Sequence, residues 1–454
     1  MLMRDATALL ADLASGRTSA VALVRDCLEG IAVSTLGAFT FVDPEESLRL
    51  AAESDARRAT GRAAGPLDGL PVALKANMAV RHWPQTAGLR FRRDDLARDD
   101  AFIVRHLRTA GAIPIGLNAM DEGALGAEGA NPWYGTTHHP RRFGYSAGGS
   151  SSGAGAAVVA GLCAFALGTD TIGSVRIPAS FCGCVGLKPS YGLLSVADVV
   201  PVHSRFDHVG PLTRSLRDLR WLLPALAAYD PACPVSVPLT LDRRTATLRG
   251  ARLGYLTGLE ALRLEPAVAE AYARAIEAAG RRGAELVALD ATRWDLPRLR
   301  RAILALCEVQ MWREHGARAS ARPEDFSDSL RAFIRYGGKL ERTEIEQAES
   351  RIASFYRDWQ IATSALTACL TPTTAGRAFA HGERPPQNSA DLTAIASATG
   401  QPALSMPLAL PGEVLPAGLQ WIGQSGRDLA LVSLAQELET ELAAADASPA
   451  ARVD

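Results

Sequence analysis

Apolar residues recur at helical spacing from the start of the chain. Ala6-Thr-Ala-Leu-Leu-Ala-Asp-Leu is one such run, broken by Gly16, and Thr18-Ser19 caps a second from Ala20 to Leu28. Pro44-Glu45-Glu46 opens another predicted helix through about Arg58. The pattern then shortens. Leu70 to Leu74, bounded by Gly69, and Ala112 to Gly116 read as buried strands, with a helix over 101–109 between them. Beyond Pro211, amphipathic helices alternate with short strands. Helices are predicted over Ser215 to Leu223 with Pro224 just outside, over Pro266 to Arg282, and over 296–317, 343–365 and 427–444. Strands are predicted at Ala251 to Leu256, Glu285 to Leu289, Ala403 to Leu408 and Gly418 to Ile422. Leu366 to Leu370 leads into a turn at 371–374, and 376–390 reads as a polar loop. No internal repeat and no clear linker interrupts the alternation. It predicts a single large α/β domain over residues 1–446, with a frayed tail at 447–454.

Composition narrows the class. The 454 residues are 48% hydrophobic, enough for a large core, and carry a net charge of −1, without the basic footprint of a nucleic-acid binder. No run approaches about 18 uncharged apolar residues, so no membrane span is expected. The charged N-terminus, with Arg4, Asp5 and Asp12, does not read as a signal peptide. The seven cysteines are scattered and odd in number, and read as small buried hydrophobes in a reducing compartment. A cytoplasmic enzyme without cofactor or metal is the expectation.

Between Gly144 and Gly192 charges thin out and glycine, serine and alanine dominate. A flexible linker would have that composition, but Ala154 to Leu167 is strongly apolar and helix-forming, which points to a buried loop–helix–loop core instead. Gly148-Gly-Ser-Ser-Ser-Gly153 and Gly168-Thr-Asp-Thr-Ile-Gly-Ser-Val-Arg176 both read as tight turns. Such turns are either close-packed scaffolding or cradles whose backbone N–H groups hold an anion. Neither fits a phosphate loop or a dinucleotide fingerprint. None of the eight histidines sits in a nucleophile setting, and the pair His138-His139 lacks metal partners at helical spacing. Serine–lysine chemistry is the alternative, since a buried lysine can lose its proton near neutral pH. Lys75 follows the strand Leu70 to Leu74 directly. Its spacing fits such a base and a lysine snorkelling to the surface equally well.

Taken together in order, these blocks resemble the amidase signature hydrolases. The resemblance rests on Gly69-Leu-Pro-Val-Ala-Leu-Lys75, Gly148 to Gly153 and Asp170-Thr-Ile-Gly-Ser-Val-Arg176, and continues through Gly186-Leu-Lys-Pro-Ser-Tyr-Gly192, Gly210 to Ser215, Gly400 to Ser405 and Leu415 to Gly423. It spans about residues 6–440. It implies a mixed, twisted central sheet covered by helices on both faces. It implies that Ser174 is the nucleophile, Ser150 the bridge and Lys75 the base. The oxyanion would be held by the backbone N–H groups of Thr171, Ile172, Gly173 and Ser174, with Ser151, Asp170 and Arg176 in support. Two departures from the family pattern stand out: Ala76 where many members carry an acid, and Ile172 where glycine is frequent.

The activity implied is hydrolysis of a small carboxamide or urea-like amide. The alternative is the glutaminase component of a tRNA-dependent amidotransferase, and less favoured is a catalytically dead binding protein. The expected partner is a small-molecule amide, with a homodimer left open. Candidate pocket residues are Leu125, Tyr145, Trp312 and Tyr336, with Trp133, Tyr134 and Arg377 in the same variable segments.

Overall fold

The computed structural model describes residues 2–239 and 241–447; most of the predicted tail, 448–454, lies outside the described residues. Fifteen strands are present among them. In chain order they are β1 (Phe39–Val42), β2 (Pro71–Lys75), β3 (Ile113–Asn118), β4 (Ala130–Asn131), β5 (Gly135–Thr136), β6 (His138–His139), β7 (Arg142–Ser146), β8 (Phe165–Asp170), β9 (Val185–Lys188), β10 (His208–Thr213), β11 (Arg252–Thr257), β12 (Glu285–Asp290), β13 (Ala368–Pro372), β14 (Ala403–Leu408) and β15 (Ala417–Gly423). Eleven of them form one sheet in the order β1-β3-β2-β8-β10-β9-β14-β15-β13-β11-β12. Its two ends contain the parallel pairs β3-β2-β8 and β13-β11-β12, joined through an antiparallel middle. The sheet is therefore mixed, as expected for this α/β class.

Strands β2, β3, β8, β9 and β10 are buried at every position. Side chains alternate between the faces of a strand, so both faces of the sheet are covered here. The edge strand β12 is mostly wet. The covering helices begin where the sequence supplies caps. Asp5 accepts from the Ala8 N–H, Ser19 from Ala22, and Asp43 from Glu46 ahead of Pro44. All seven cysteines are buried and unpaired, as expected of small core hydrophobes.

The predicted helix over Ala154 to Leu167 is corrected. Only Ser152–Val159 is helical; Gly161 takes a left-handed φ of 72°, and the apolar run continues as the central strand β8. A fully buried strand and a buried helix look alike in hydrophobicity alone. Pro224 also lies inside its helix, Leu216–Leu226, rather than beyond it. The helix Asp328–Gly337 falls in a stretch for which no element was expected.

One buried ion pair ties distant parts of the sheet together. Asp170, at the end of β8, and Arg176, at the start of helix Arg176–Cys182, both have 0% exposed side chains. Arg176 donates through Nε (2.9 Å) and a terminal nitrogen (2.8 Å) to Asp170. It also reaches Gln420 Oε1 on β15 at 2.7 Å, the Thr393 carbonyl at 2.9 Å and Ser397 at 3.2 Å. Burial by itself would raise the Asp170 carboxyl, but the charge and hydrogen bonds of Arg176 hold it well below the usual carboxylate range. Arg176→Gln is expected to destabilise the fold by about 3–5 kcal/mol, because it leaves a buried carboxylate without its counter-charge. The urea midpoint of unfolding checks this. A loss under about 1 kcal/mol would show that the remaining N–H donors suffice for Asp170.

Candidate active site

Strand β2 ends in Lys75, which is wholly buried. Its parallel neighbour β8 pairs Leu74 with Leu167 and so carries Thr169 alongside the lysine head. Lys75 Nζ donates to Ser150 Oγ at 2.8 Å and to Thr169 Oγ1 at 2.8 Å. Burial pushes the Lys75 ammonium down to about 7, against the opposing pull of Asp121, Asp170 and Asp207. The surface-lysine reading of Lys75 is thereby excluded. Asn77 donates to the same Thr169 hydroxyl at 3.2 Å, so Thr169 is gripped from two sides.

Ser150 lies in the turn before helix Ser152–Val159, after a cis Gly149–Ser150 peptide. Gly149 is required by close approach: a Cβ there would lie 2.0 Å from Asp121 Oδ2 and 2.9 Å from Ala127 Cα. Asp121 is buried, and its carboxyl is pushed up to about 7, first by burial and then by Glu128. Ser151 Oγ donates to the Thr169 carbonyl at 3.1 Å, while the Ser151 N–H donates to the Ser174 carbonyl at 3.2 Å. That second bond lays the Ser150 turn beside the 171–175 loop. No hydrogen bond joins the Ser150 and Ser174 hydroxyls among the described residues. Contacts of this kind often tighten only when substrate is bound.

Asp170 shapes the loop from within. It accepts from the Gly173 N–H at 2.7 Å, the Val175 N–H at 3.2 Å and the Arg176 N–H at 3.4 Å. Gly173 sits at φ 130°, and a Cβ would meet Thr393 Oγ1 at 2.5 Å. The Gly173 N–H, expected among the oxyanion donors, is thus engaged with Asp170. The N–H groups of Ile172 and Ser174 have no hydrogen-bond partner among the described residues. Thr171 is pinned through its hydroxyl to Asp207 at 2.6 Å. The Asp207 carboxyl is raised to about 6 by burial, moderated by that hydroxyl and the N–H groups of Val202 and His203. Behind Asp170, its cross-strand partner His208 meets Lys188 Nζ at 3.1 Å. His208 Nδ1 lies 2.7 Å from the Phe206 carbonyl, so Nδ1 carries the proton and Nε2 accepts from the lysine. Burial lowers both groups, Lys188 to about 7.

Ser174 is partly exposed and opens onto a cavity of about 190 Å³ walled by Leu125, Ile172, Ile177, Leu304 and Arg300, with Gln387 at its rim. Leu125 is the one expected pocket residue found there. Tyr145 packs instead beside Ile177 and Phe181, under the Arg142 guanidinium. Trp312, 36% exposed, lies over Gly316 and Gly338, and Tyr336, 46% exposed, lies under Arg301. Arg377 is tied to Glu265 at 2.7 Å, and Trp133 donates to Glu122 at 2.7 Å. Aromatic and arginine content located the variable segments but not the faces of their helices. Thr169, Asp121 and Arg300 were missed. Strand alternation on β8 would have flagged Thr169, had that run been read as a strand.

The described residues include no helix long and apolar enough to cross a membrane. The Amidase family model matches residues 22–432. The A component of the glutamyl-tRNA(Gln) amidotransferase from Synechococcus sp. (strain CC9605) is 32% identical over 94% of each chain. A solved amidase is 31% identical, with a TM-score of 0.86 over 97% of this chain and 100% of that one. Another solved structure, of a vestigial protein complex that reveals the evolutionary origins of an s-triazine catabolic enzyme, is 29% identical, with a TM-score of 0.90 over 96% and 98%. The chain belongs to the amidase signature family, hydrolases that act on C–N bonds.

Proposed function

We propose that this chain hydrolyses the C–N bond of a small carboxamide or urea-like amide through an acyl-enzyme on Ser174. The observation that carries this reading is Lys75: wholly buried, brought to about 7, and 2.8 Å from Ser150 Oγ. A lysine at its ordinary value would be charged at neutral pH and could not accept a proton. Here, with Nζ neutral, Ser150 passes its proton to Lys75 and takes the proton of Ser174, whose oxygen attacks the carbonyl carbon. The N–H groups of Ile172 and Ser174 meet the oxyanion. Returned through Ser150, the proton goes to the leaving nitrogen, which departs as ammonia or an amine. Water then attacks the acyl-enzyme along the same route and frees the carboxylic acid and Ser174. Ser151, Asp170 and Arg176 hold the two turns in register.

A second reading is supported by the amidotransferase relatives, about one-third identical over nearly the whole chain. There the same relay would release ammonia from glutamine within a larger assembly. Ala76 in place of the family acid and the poorly matching segment Asn118-Ala-Met-Asp-Glu122 are the sequence features that weigh against it. Ammonia release from a panel of amides that includes glutamine separates the two. The stand-alone reading expects turnover of simple amides by the isolated chain. Strict dependence on glutamine and a further protein component would favour the amidotransferase.

Lys75→Ala is expected to lower kcat/KM by about 10³-fold or more, in line with losses at members of catalytic triads. Circular dichroism should show the fold intact, because Asp170 and Arg176 hold the serine loops without the lysine. Near-wild-type turnover in this variant would sink the relay. In the wild type, kcat/KM should rise with pH through about 7 and level off above it, because Lys75 acts in its neutral form. A profile that falls over that interval would oppose the assignment. A fluorophosphonate probe should label Ser174 and fail to label Ser174→Ala. Labelling that survives in that variant would place the nucleophile elsewhere.

A further inference from the structure

We infer that Arg300 is the specificity residue of this site and that the preferred amide carries a carboxylate on its acyl side. The inference rests on the assignment of Ser174 as nucleophile and names the substrate class that this assignment leaves open.

The cavity beside Ser174 is walled almost wholly by small and aliphatic side chains, and Arg300 is the one charged residue in its described wall. Arg300 projects from helix Leu296–Ala321, with its side chain 21% exposed. Its Nε donates to Asp391 Oδ1 at 2.5 Å, and the Asp391 side chain is only 3% exposed. That tether restrains the guanidinium at its Nε end. Its two terminal nitrogens have no hydrogen-bond partner among the described residues. A guanidinium held at Nε with both ends free presents the paired N–H donors that fit the two oxygens of a carboxylate. A planar fork of this kind, already held in place, binds at a lower entropic cost than a mobile one.

The surroundings restrict where such a group can go. A neighbouring cavity of about 560 Å³ shares Leu125, Gly126 and Leu304 with the first, and its charged lining is Asp121, Glu122 and Glu128. Glu122 is buried, and its Oε2 has no partner. Glu128 is half-buried, with His381 the basic group whose charge acts on it. That side offers carboxyl groups and no basic side chain, so Arg300 is the cationic seat for a carboxylate in the described walls of the two cavities. The small volume next to Ser174 limits the acyl chain to a few carbons, which points to monoamides of short dicarboxylic acids.

The test compares kcat/KM for succinamate and glutaramate with butyramide and pentanamide, and with the cationic β-alaninamide. The monoacids should be favoured over the alkyl amides by about 10–100-fold, the span of a charge-assisted pair formed in a partly desolvated site. Arg300→Met should bring that ratio toward one, and Arg300→Lys should restore only part of it, because charge returns without the fork. Since Arg300→Met leaves Asp391 buried and unpaired, the double variant Arg300→Met/Asp391→Asn is measured as well. A merely structural defect lowers all substrates together and leaves the ratio unchanged. Equal rates for monoacids and alkyl amides, a ratio that survives both arginine variants, or a preference for β-alaninamide would each overturn the proposal while leaving amide hydrolysis standing. Failure to cleave any amide, with no probe on Ser174, would instead overturn the functional reading beneath it.

Discussion

The buried Asp170–Arg176 pair is the constraint on which the rest of the site depends. A charge pair without solvent is costly unless every lone pair and N–H finds a partner. Here the carboxylate takes two bonds from the guanidinium and three from the backbone N–H groups of Gly173, Val175 and Arg176. The guanidinium spends its other donors on Gln420, Thr393 and Ser397. The geometry is therefore over-determined. The loop between the two residues must curl around the carboxylate, and Ser174 is carried to the cavity by that curl. Thr393 closes the arrangement by donating its hydroxyl to the Ile172 carbonyl.

The lysine side follows from the sheet. Lys75 lies at the end of a strand buried on both faces, so its head has no route to water, and the ammonium loses the hydration that normally stabilises it. What it gains is two hydroxyl acceptors, Ser150 and Thr169. The carboxylates of Asp121, Asp170 and Asp207 act on it only through charge, and they oppose the fall without cancelling it. In this setting the replacement of a family acid by Ala76, itself fully buried, removes one more influence that would keep the lysine charged.

Legibility from sequence divided along the same physical lines. Wet-faced helices such as Pro266–Arg281 and Arg342–Thr363 were readable, because periodicity records which side meets water. The strands β9 and β10, interrupted by Gly186 and by Gly210-Pro211, lack the continuous apolar run that marked β2, and β8 reads in sequence as the end of a helix. Lys75 could not be told from a surface lysine by spacing; only the order of the three blocks singled it out. Residues that depend on which face of a long helix points inward were the least legible. Trp312 and Tyr336 were expected in the pocket and face away from it, whereas Arg300, on the same helix as Trp312, reaches it.

Within the 171–176 loop, the contacts that hold the backbone are separate from the side chain that meets the cavity. Asp170 fixes this loop mainly through main-chain N–H groups, and those bonds do not constrain the side chain at position 172. Ile172 contributes its carbonyl to the scaffold while its β-branched side chain forms part of the cavity wall. Changing that side chain alters the shape and polarity offered to the acyl group without disturbing the carboxylate cradle. Another part of the wall comes from helix Leu296–Ala321, which lies far along the chain from the blocks that carry Lys75, Ser150 and Ser174. The backbone around Ser174 is thus held by buried polar contacts, while the cavity beside it is shaped by side chains that take no part in those contacts.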